Sequence, residues 1–434
     1  MSISANGELM KTISTRLFWA RQLDQVKEER WVAIHRKLRI VLQLLSRRVS
    51  LDRLWLALPV VLIIRLLRPL VLIRLGVLRS TRIGHFAGNT EKYLCEHQAG
   101  THPPRTFDVF YCSRIVCNDQ LKRMWGRQLR IMPRSMLRRI DEANQMLPGG
   151  EAHRIVMPSN IDVHGYLSQF GTHLTFTPEE EVDGSHYLTS IGLRGDDKFI
   201  CFCIRDSIYL DEMFPERSRE EWSYHDYRDA CVQDFVPAIE SLVDTTEWYA
   251  FRLGKLVKNA FCSDNPKIID YASNGDRSDF LDIYLAAKCH LFINSGSGFF
   301  DVPVIFRRNV VSVNLIPIGW PSGGHAFIPK KLWLKNEKRF LTFQEMSELP
   351  RRINHLDGWE YDRLGLEVID NTANEISDFL VEVIERMNGT WIPQDEDHYL
   401  KERFQRIFPP PPSDSHGSAF IGARFLRENE GLLS

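Results

Sequence analysis

Six short stretches hold most of the side chains with chemistry to offer. In "FICFCIRDS" (199–207) Arg205 and Asp206 follow directly on an apolar run. A guanidinium there suits bidentate binding of a phosphate, and an ion pair with Asp206 or another carboxylate is the competing use. In "FRLGK" (251–255) Arg252 and Lys255 flank a glycine, placed to neutralise a diphosphate or to serve as ordinary surface charge. "NSGSGFFDVP" (294–303) offers Ser295, Gly296, Ser297 and Gly298, whose small side chains let backbone N–H groups approach an anion. A helix starting near Gly298 would add its dipole, although any tight turn can look alike. "STRIGHFAGNTEKY" (80–93) places Arg82, Gly84, His85 and Asn89 on a glycine-hinged turn, with Asn89 or Thr90 expected to cap a helix beyond. "WSYHDYRD" (222–229) packs Tyr224, His225 and Asp226 into an aromatic cluster, fit to stack on a base or sugar or to form a packed lid. In "GDRSDFLDIY" Arg277 could meet phosphate, whereas Ser278 and Asp279 read first as helix caps.

Each of these stretches needs an element to hold it. "LVLIRLGVL" (70–78) is an apolar run with one arginine, as expected of a strand covered on both faces. Beyond the glycine turn come a helix from about Thr90, a strand at "FDVFYCS", and helices at "NDQLKRMWGRQL" and "RRIDEANQML". A third strand is expected at "RIVMP". The acidic, glycine-bearing stretch 178–198 reads as a domain boundary. The alternation then resumes: strand "KFICFCIRDS", helix "YRDACVQDFVPAIESLVD", strand "WYAFRLGK", helix "SDFLDIYLAAKC", strands "HLFINSGSG" and "NVVSVNLIP". Strands alternating with helices predict an α/β fold of two Rossmann-like domains, ligand lying at the carboxyl ends of the strands. The expected segments are a basic helical extension (1–68), a first domain (69–190), a second (191–390), and a Pro-rich spacer with a terminal helix (391–434). No G-x-x-x-x-G-K-[ST] is present, and no G-x-G-x-x-G follows the first strand, which argues against a Walker-type site and against a nicotinamide or flavin enzyme.

The 434 residues carry 55 Lys and Arg against 56 Asp and Glu, but unevenly. Residues 1–80 hold 15 cations and 5 acids, so a basic head precedes an acidic body. The cations alternate with Leu, Ile and Val rather than with stacking aromatics, which favours an anionic membrane surface over nucleic acid. Ile34, Leu38, Val41 and Leu45 recur at helical spacing among Arg36, Lys37, Arg39, Arg47 and Arg48, the pattern of a basic amphipathic helix, lying in an interface or packed on the body. The apolar segment 54–78 is broken by Pro59, Pro69 and three arginines, too soon to span a bilayer. Eight cysteines without ligand spacing, and a start without a signal-peptide pattern, predict reduced thiols in a cytoplasmic protein, peripheral on the membrane at most.

"RIGHFAGNTEKYLCE", "FICFCIRDSIYL", "YHDYRDA", "RSDFLDIYLAAKCHLFINSGSGFFDVPVIFRR" and "GSAFIGARFLR" occur in order over residues 70–430 and together resemble a family of bacterial glycosyltransferases linked to surface polysaccharide synthesis. The helix, strand and "NSGSG" block is more distantly similar to the donor half of GT-B enzymes such as the heptosyltransferases. The resemblance implies a GT-B-type arrangement, with a nucleotide-sugar donor on the second domain and a glycan or lipid-linked acceptor on the first. It implies no tightly bound cofactor and no metal, the leaving phosphate being met by Arg205, Arg252, Lys255 and the 295–298 loop. His85 is then the first candidate for the base, with a turn histidine as the alternative; Asp206 and Asp226 are in reserve. A non-catalytic nucleotide- or sugar-binding protein and a UDP-sugar epimerase are the competing readings.

Overall fold

The computed structural model describes residues 57–433 apart from 160, 161, 163, 214–222, 322–324, 350–357 and 411–418. The expected basic helix at 34–48 lies outside the described residues. The chain begins with α1 (Leu58–Leu66), β1 (Leu72–Leu78), a π-helical turn (His85–Asn89), α2 (Thr90–Gln98) and β2 (Thr106–Cys112). Helices α3 (Asp119–Gln128) and α4 (Arg134–Gln145), β3 (Arg154–Ile155) and α5 (Pro178–Ser190) follow. Then come β4 (Phe199–Ile204), α6 (Val236–Thr246), β5 (Tyr249–Arg252), β6 (Ile268–Ile269), α7 (Asp279–Lys288) and β7 (Leu291–Ser295). The C-terminal part holds α8 (Asp301–Ile305), β8 (Asn309–Leu315), β9 (Ala326–Pro329), β10 (Lys331–Leu334), β11 (Arg339–Phe340), β12 (Leu366–Ile369), α9 (Ala373–Asn388), α10 (Asp395–Ile407) and α11 (Ala423–Glu428).

The chain gathers into two compact units. One comprises Met1–Ile73 with Ser135–Arg154. Within it, α1 buries Val61 and Ile64, and Arg65 ties the helix to the end of α4 through Asn144 Oδ1 and the carbonyls of Asn144, Leu147 and Pro148.

The other unit, Arg74–Arg134 with Ile155–Ser434, carries the sheets that matter here. The larger sheet has six strands, all parallel, in the order β6-β5-β4-β7-β8-β9. This is the doubly wound order, in which the chain starts at the centre, winds one way, then returns to the centre and winds the other. Central β4 is buried at every residue, which is why "FICFCI" reads as unbroken apolar sequence. Its alternation divides two cores: Ile200, Phe202 and Ile204 face one, packed with α6, α9 and α11. Phe199, Cys201 and Cys203 face the other.

That second core continues into the first part of the chain, where it takes in Leu78, Phe86 and Trp125. The arginine inside β1 is explained there. Arg74 is buried and grips Asp108 of β2 through Nε and Nη2 (2.8 and 2.6 Å), while Tyr93 OH donates to the same carboxylate. The smaller sheet runs β2-β1-β3.

Three expected features differ. The acidic stretch at 178–190 is helix α5 rather than a connection, closed by a capping box between Thr177 and Glu180. The helix expected from Tyr227 starts only at Val236; Ser223–Arg228 and Val232–Phe235 are single 3-10 turns. The terminal segment is no appendage, since Ile421, Phe425 and Leu426 belong to the main core and Ile421 bridges to Phe327. All eight cysteines are free, in line with the expected reduced thiols.

Candidate active site

In a doubly wound sheet the two chain directions diverge between the central strands and open a crevice beyond their carboxyl ends. Here the divergence falls between β4 and β7, paired in register from Ile200↔Leu291 to Ile204↔Ser295. The loops that leave these two strands are "RDS" and "GSG", two of those singled out by residue type. Arg205 N–H donates to Ser295 O (3.0 Å), extending the ladder by one step, so the Arg205 side chain leaves from the rim of the crevice.

Arg205 is the least committed cation at the rim. Its Nε lies 3.0 Å from Asp229 Oδ1, without the alignment of a hydrogen bond, and Nε and Nη2 are buried with no hydrogen-bond partner among the described residues. Arg228, which the sequence reading passed over as part of an aromatic cluster, stands beside it. Its Nη2 donates to Gly296 O (3.0 Å) while its Nε is buried and without a partner among the described residues. Burial, with Arg205 and Arg82 nearby, holds Arg228 below the ordinary guanidinium value. Burial also pushes Asp229 up to about 6, against the pull of Arg205. Two cations short of acceptors, beside a carboxylate inclined to take up a proton, make a site that calls for an anion.

The glycine loop is shaped by contact. Gly296 has φ +67°, and a Cβ there would stand 2.6 Å from Arg228 O, so only glycine fits. Ser297 N–H donates to Asn294 Oδ1 and its Oγ accepts from Phe299 N–H, which folds the loop back on itself. Ser295 Oγ is buried without a partner among the described residues. The helix expected near Gly298 does start there, as a 3-10 turn (Gly298–Phe300) capped by Ser297 that runs on into the five residues of α8, together too short to lend much dipole.

The glycine-hinged turn meets this loop directly. A Cβ on Gly84 would stand 2.5 Å from Gly298 O and 2.8 Å from Asp301 Oδ2, and one on Gly88 would stand 2.8 Å from Asp301 Oδ1. Two stretches more than 200 residues apart are therefore backbone to backbone. The turn between is π-helical and offers no side-chain cap from Asn89, contrary to expectation. Asn89 instead faces His85, with Nδ1 and Oδ1 3.3 Å apart. With Nδ1–H donating to Asn89, Nε2 keeps its lone pair. Burial holds His85 below its ordinary value, and the charges of Arg79, Arg82 and Lys92 add to this. The charge of Arg82 also adds to the lowering of Arg228.

Four of the remaining expected residues, Arg252, Lys255, Arg277 and Asp206, are committed elsewhere. Arg252 is 2% exposed and bonds Asn259 O (2.6 Å) and Asp270 (3.4 Å), so it braces a loop instead of facing a phosphate. Lys255 donates to Cys117 O (2.9 Å). Arg277 is paired with Asp279 and Asp282, and Ser278 caps α7 as expected. Asp206 accepts from Ile208 N–H and Lys258 N–H, spending both oxygens on loop structure. Asp226 O accepts from Asp229 N–H. Tyr224 and His225 lie in the 3-10 turn Ser223–Arg228.

Two further groups bear on the site. Asp301 is 4% exposed, pressed on Gly84 and Gly88, and burial pushes it up to about 7 with Lys92 opposing. Glu91, Cys95 and His173 place ligand-type atoms together as a metal site would. However, Arg307 Nη2 sits 2.7 Å from the Glu91 oxygen that His173 also approaches, and burial pushes the Cys95 thiol up to about 12. A guanidinium in that position and a protonated thiol make the cluster an ion-pair knot.

No protein-family model and no curated protein matches the chain. Among solved structures, the chain is similar to an E. coli ADP-heptose LPS heptosyltransferase II, at 13% identity over 60% of this chain and 90% of that one, TM-score 0.39. It is also similar to a family 9 glycosyl transferase of Veillonella parvula (12%, covering 56% and 80%, TM-score 0.35) and to E. coli heptosyltransferase WaaC with ADP (9%, covering 74% and 100%, TM-score 0.32). Likenesses this distant stop at the fold and say nothing of this chain's substrate.

Proposed function

We propose that the chain is a glycosyltransferase that takes a sugar from a nucleotide-sugar donor to a hydroxyl of a glycan or lipid-linked acceptor in surface polysaccharide synthesis. The observation that carries this reading is the pair Arg205 and Arg228 at the switch point, with guanidinium N–H groups left without acceptors among the described residues. A donor diphosphate supplies those acceptors. As the bond between the anomeric carbon and the phosphate oxygen breaks, negative charge grows on the leaving group, and two half-buried guanidiniums stabilise it without a tightly bound metal. The acceptor oxygen bonds the anomeric carbon and its proton passes to His85 Nε2. The acceptor side of the crevice is then the 82–89 turn, and an anionic membrane surface is where a lipid-linked acceptor would be met.

The test uses Arg205→Gln, because Arg205 gives no side-chain hydrogen bond to the described protein and its loss leaves the fold intact. Thermal-shift and calorimetric titration with UDP, ADP, GDP and CMP should find one nucleotide that binds the wild type. Affinity should fall about 10- to 100-fold in the variant, the worth of one or two hydrogen bonds to a charged group. Equal binding by both proteins, or no binding of any nucleotide, would overturn the proposal. Conversion of a UDP-sugar without any acceptor would point to an epimerase instead.

A further inference from the structure

The outer face of α1 is apolar from end to end. Val60, Leu62, Ile63 and Leu66, with Leu70 just beyond, are 39, 61, 57, 80 and 73% exposed. A helix on a water-facing surface ordinarily shows polar side chains there, and an apolar concentration of this kind marks a contact surface. The face is held outward firmly: Val61 and Ile64 are buried behind it, and the Arg65 guanidinium reaches four acceptors at the end of α4. Nine residues at about 1.5 Å each cover roughly half of a bilayer's apolar core, so α1 can lie in a membrane surface but not cross it. No described helix is long and apolar enough to cross.

Charge selects the partner. In the same compact unit Arg68, Arg138 and Arg139 are exposed, and in the sequence just upstream residues 30–51 carry six cations and no acid. A second copy of the chain would bring a unit of the same positive charge against this one, so isologous pairing through it is opposed. An anionic lipid surface meets both properties at once. We propose that the bare face of α1 docks the protein on an anionic membrane, with Leu62, Ile63, Leu66 and Leu70 entering the boundary between headgroups and acyl chains and the arginines pairing with lipid phosphates. This names the element behind the membrane part of the functional reading, but it stands on α1 alone and survives if that reading fails.

Co-flotation of the full chain with phosphatidylglycerol and with phosphatidylcholine vesicles tests it. The wild type should float with the anionic vesicles and far less with the neutral ones. Leu62→Asp with Leu66→Asp should cut the bound fraction about tenfold or more, while Arg68→Glu should weaken binding to the anionic vesicles alone. Unchanged thermal melting would confirm that the variants fold, as expected for exposed positions, and Leu66→Ser serves if the double variant does not. Nucleotide binding should stay at the wild-type level. Wild-type protein that ignores anionic vesicles, or a double variant that floats as well, would overturn the proposal. A double variant that merely halves the particle mass would show that a second copy covers the face, and would overturn it too.

Discussion

Gly84→Ala gives two opposite signs, depending on whether the two active-site loops touch. The backbone at Gly84 is right-handed helical (φ −59°, ψ −48°), a conformation alanine accepts without strain. Were the position open, the substitution would stabilise the protein by about 0.4–1 kcal/mol, chiefly by restricting the unfolded chain. In the structure the new methyl would stand 2.5 Å from Gly298 O and 2.8 Å from Asp301 Oδ2. The first of these is backbone and cannot swing aside, so the loops must part by roughly an ångström. Overpacking of this kind costs about 1–3 kcal/mol. The balance is a net loss of about 1–2 kcal/mol, read by urea denaturation as a lower midpoint at unchanged slope. Nucleotide titration of the same variant reports the second consequence. Parting the loops moves His85 away from the crevice but leaves Arg205 beyond the end of β4 and Arg228 at the end of its 3-10 turn, so turnover should fall more than nucleotide affinity. A variant as stable as the wild type, or more stable, would show that the 84 turn and the 298 loop are not in contact, and the site as described would come apart.

Two further predictions concern protons. His85 must be neutral to accept one, and its pKa is held below the ordinary value by burial, so turnover should rise with pH to a plateau through a midpoint below about 6.5. His85→Gln should remove that rising limb; a limb that persists in the variant assigns the base elsewhere. Asp301 holds its proton to about 7 when folded, against about 3.9 unfolded, so the folded chain binds more protons between these values and stability falls as pH rises through them. From about pH 5 to about pH 8 the wild type should lose on the order of 2–3 kcal/mol that Asp301→Asn does not lose. Parallel stability curves for the two proteins would show that Asp301 is ionised in the fold.

Much of the fold was legible because a covered parallel strand leaves an unambiguous trace. "FICFCI", "LFINS" and "VVSVNL" are buried almost throughout, and their apolar runs say so. Helix α5 was legible too, had Thr177 and Glu180 been taken as the capping box they form instead of as part of an acidic run. Other features have no local trace. Tyr227 to Phe235 reads as the start of a helix, yet the chain spends this stretch on tertiary bonds: Arg228 to Gly296 O, and the carbonyls of Tyr227 and Asp229 to Lys330 Nζ. Partners that far along the chain cannot be inferred from the nine residues themselves.

The arginines show why residue type at a strand end was an incomplete guide. Arg74, Arg205, Arg252 and Arg277 all lie in or beside apolar runs, and each has a carboxylate near it. What separates them is how the carboxylate is presented. Asp108 meets Arg74 on two aligned nitrogens, Asp282 meets Arg277 at 2.5 Å, and Arg252 has Asn259 O at 2.6 Å; these cations are already satisfied. Asp229 stands 3.0 Å from Arg205 and out of line, and its own burial favours the proton over the charge. A poorly aligned, half-willing counter-ion keeps a guanidinium in place while leaving its hydrogen bonds unmade, which a binding site for a phosphate requires and a structural ion pair does not. By that criterion the cationic centre of the crevice moves from the four residues suggested by their places in the sequence, Arg205, Arg252, Lys255 and Arg277, to the pair Arg205 and Arg228, both packed against Gly296.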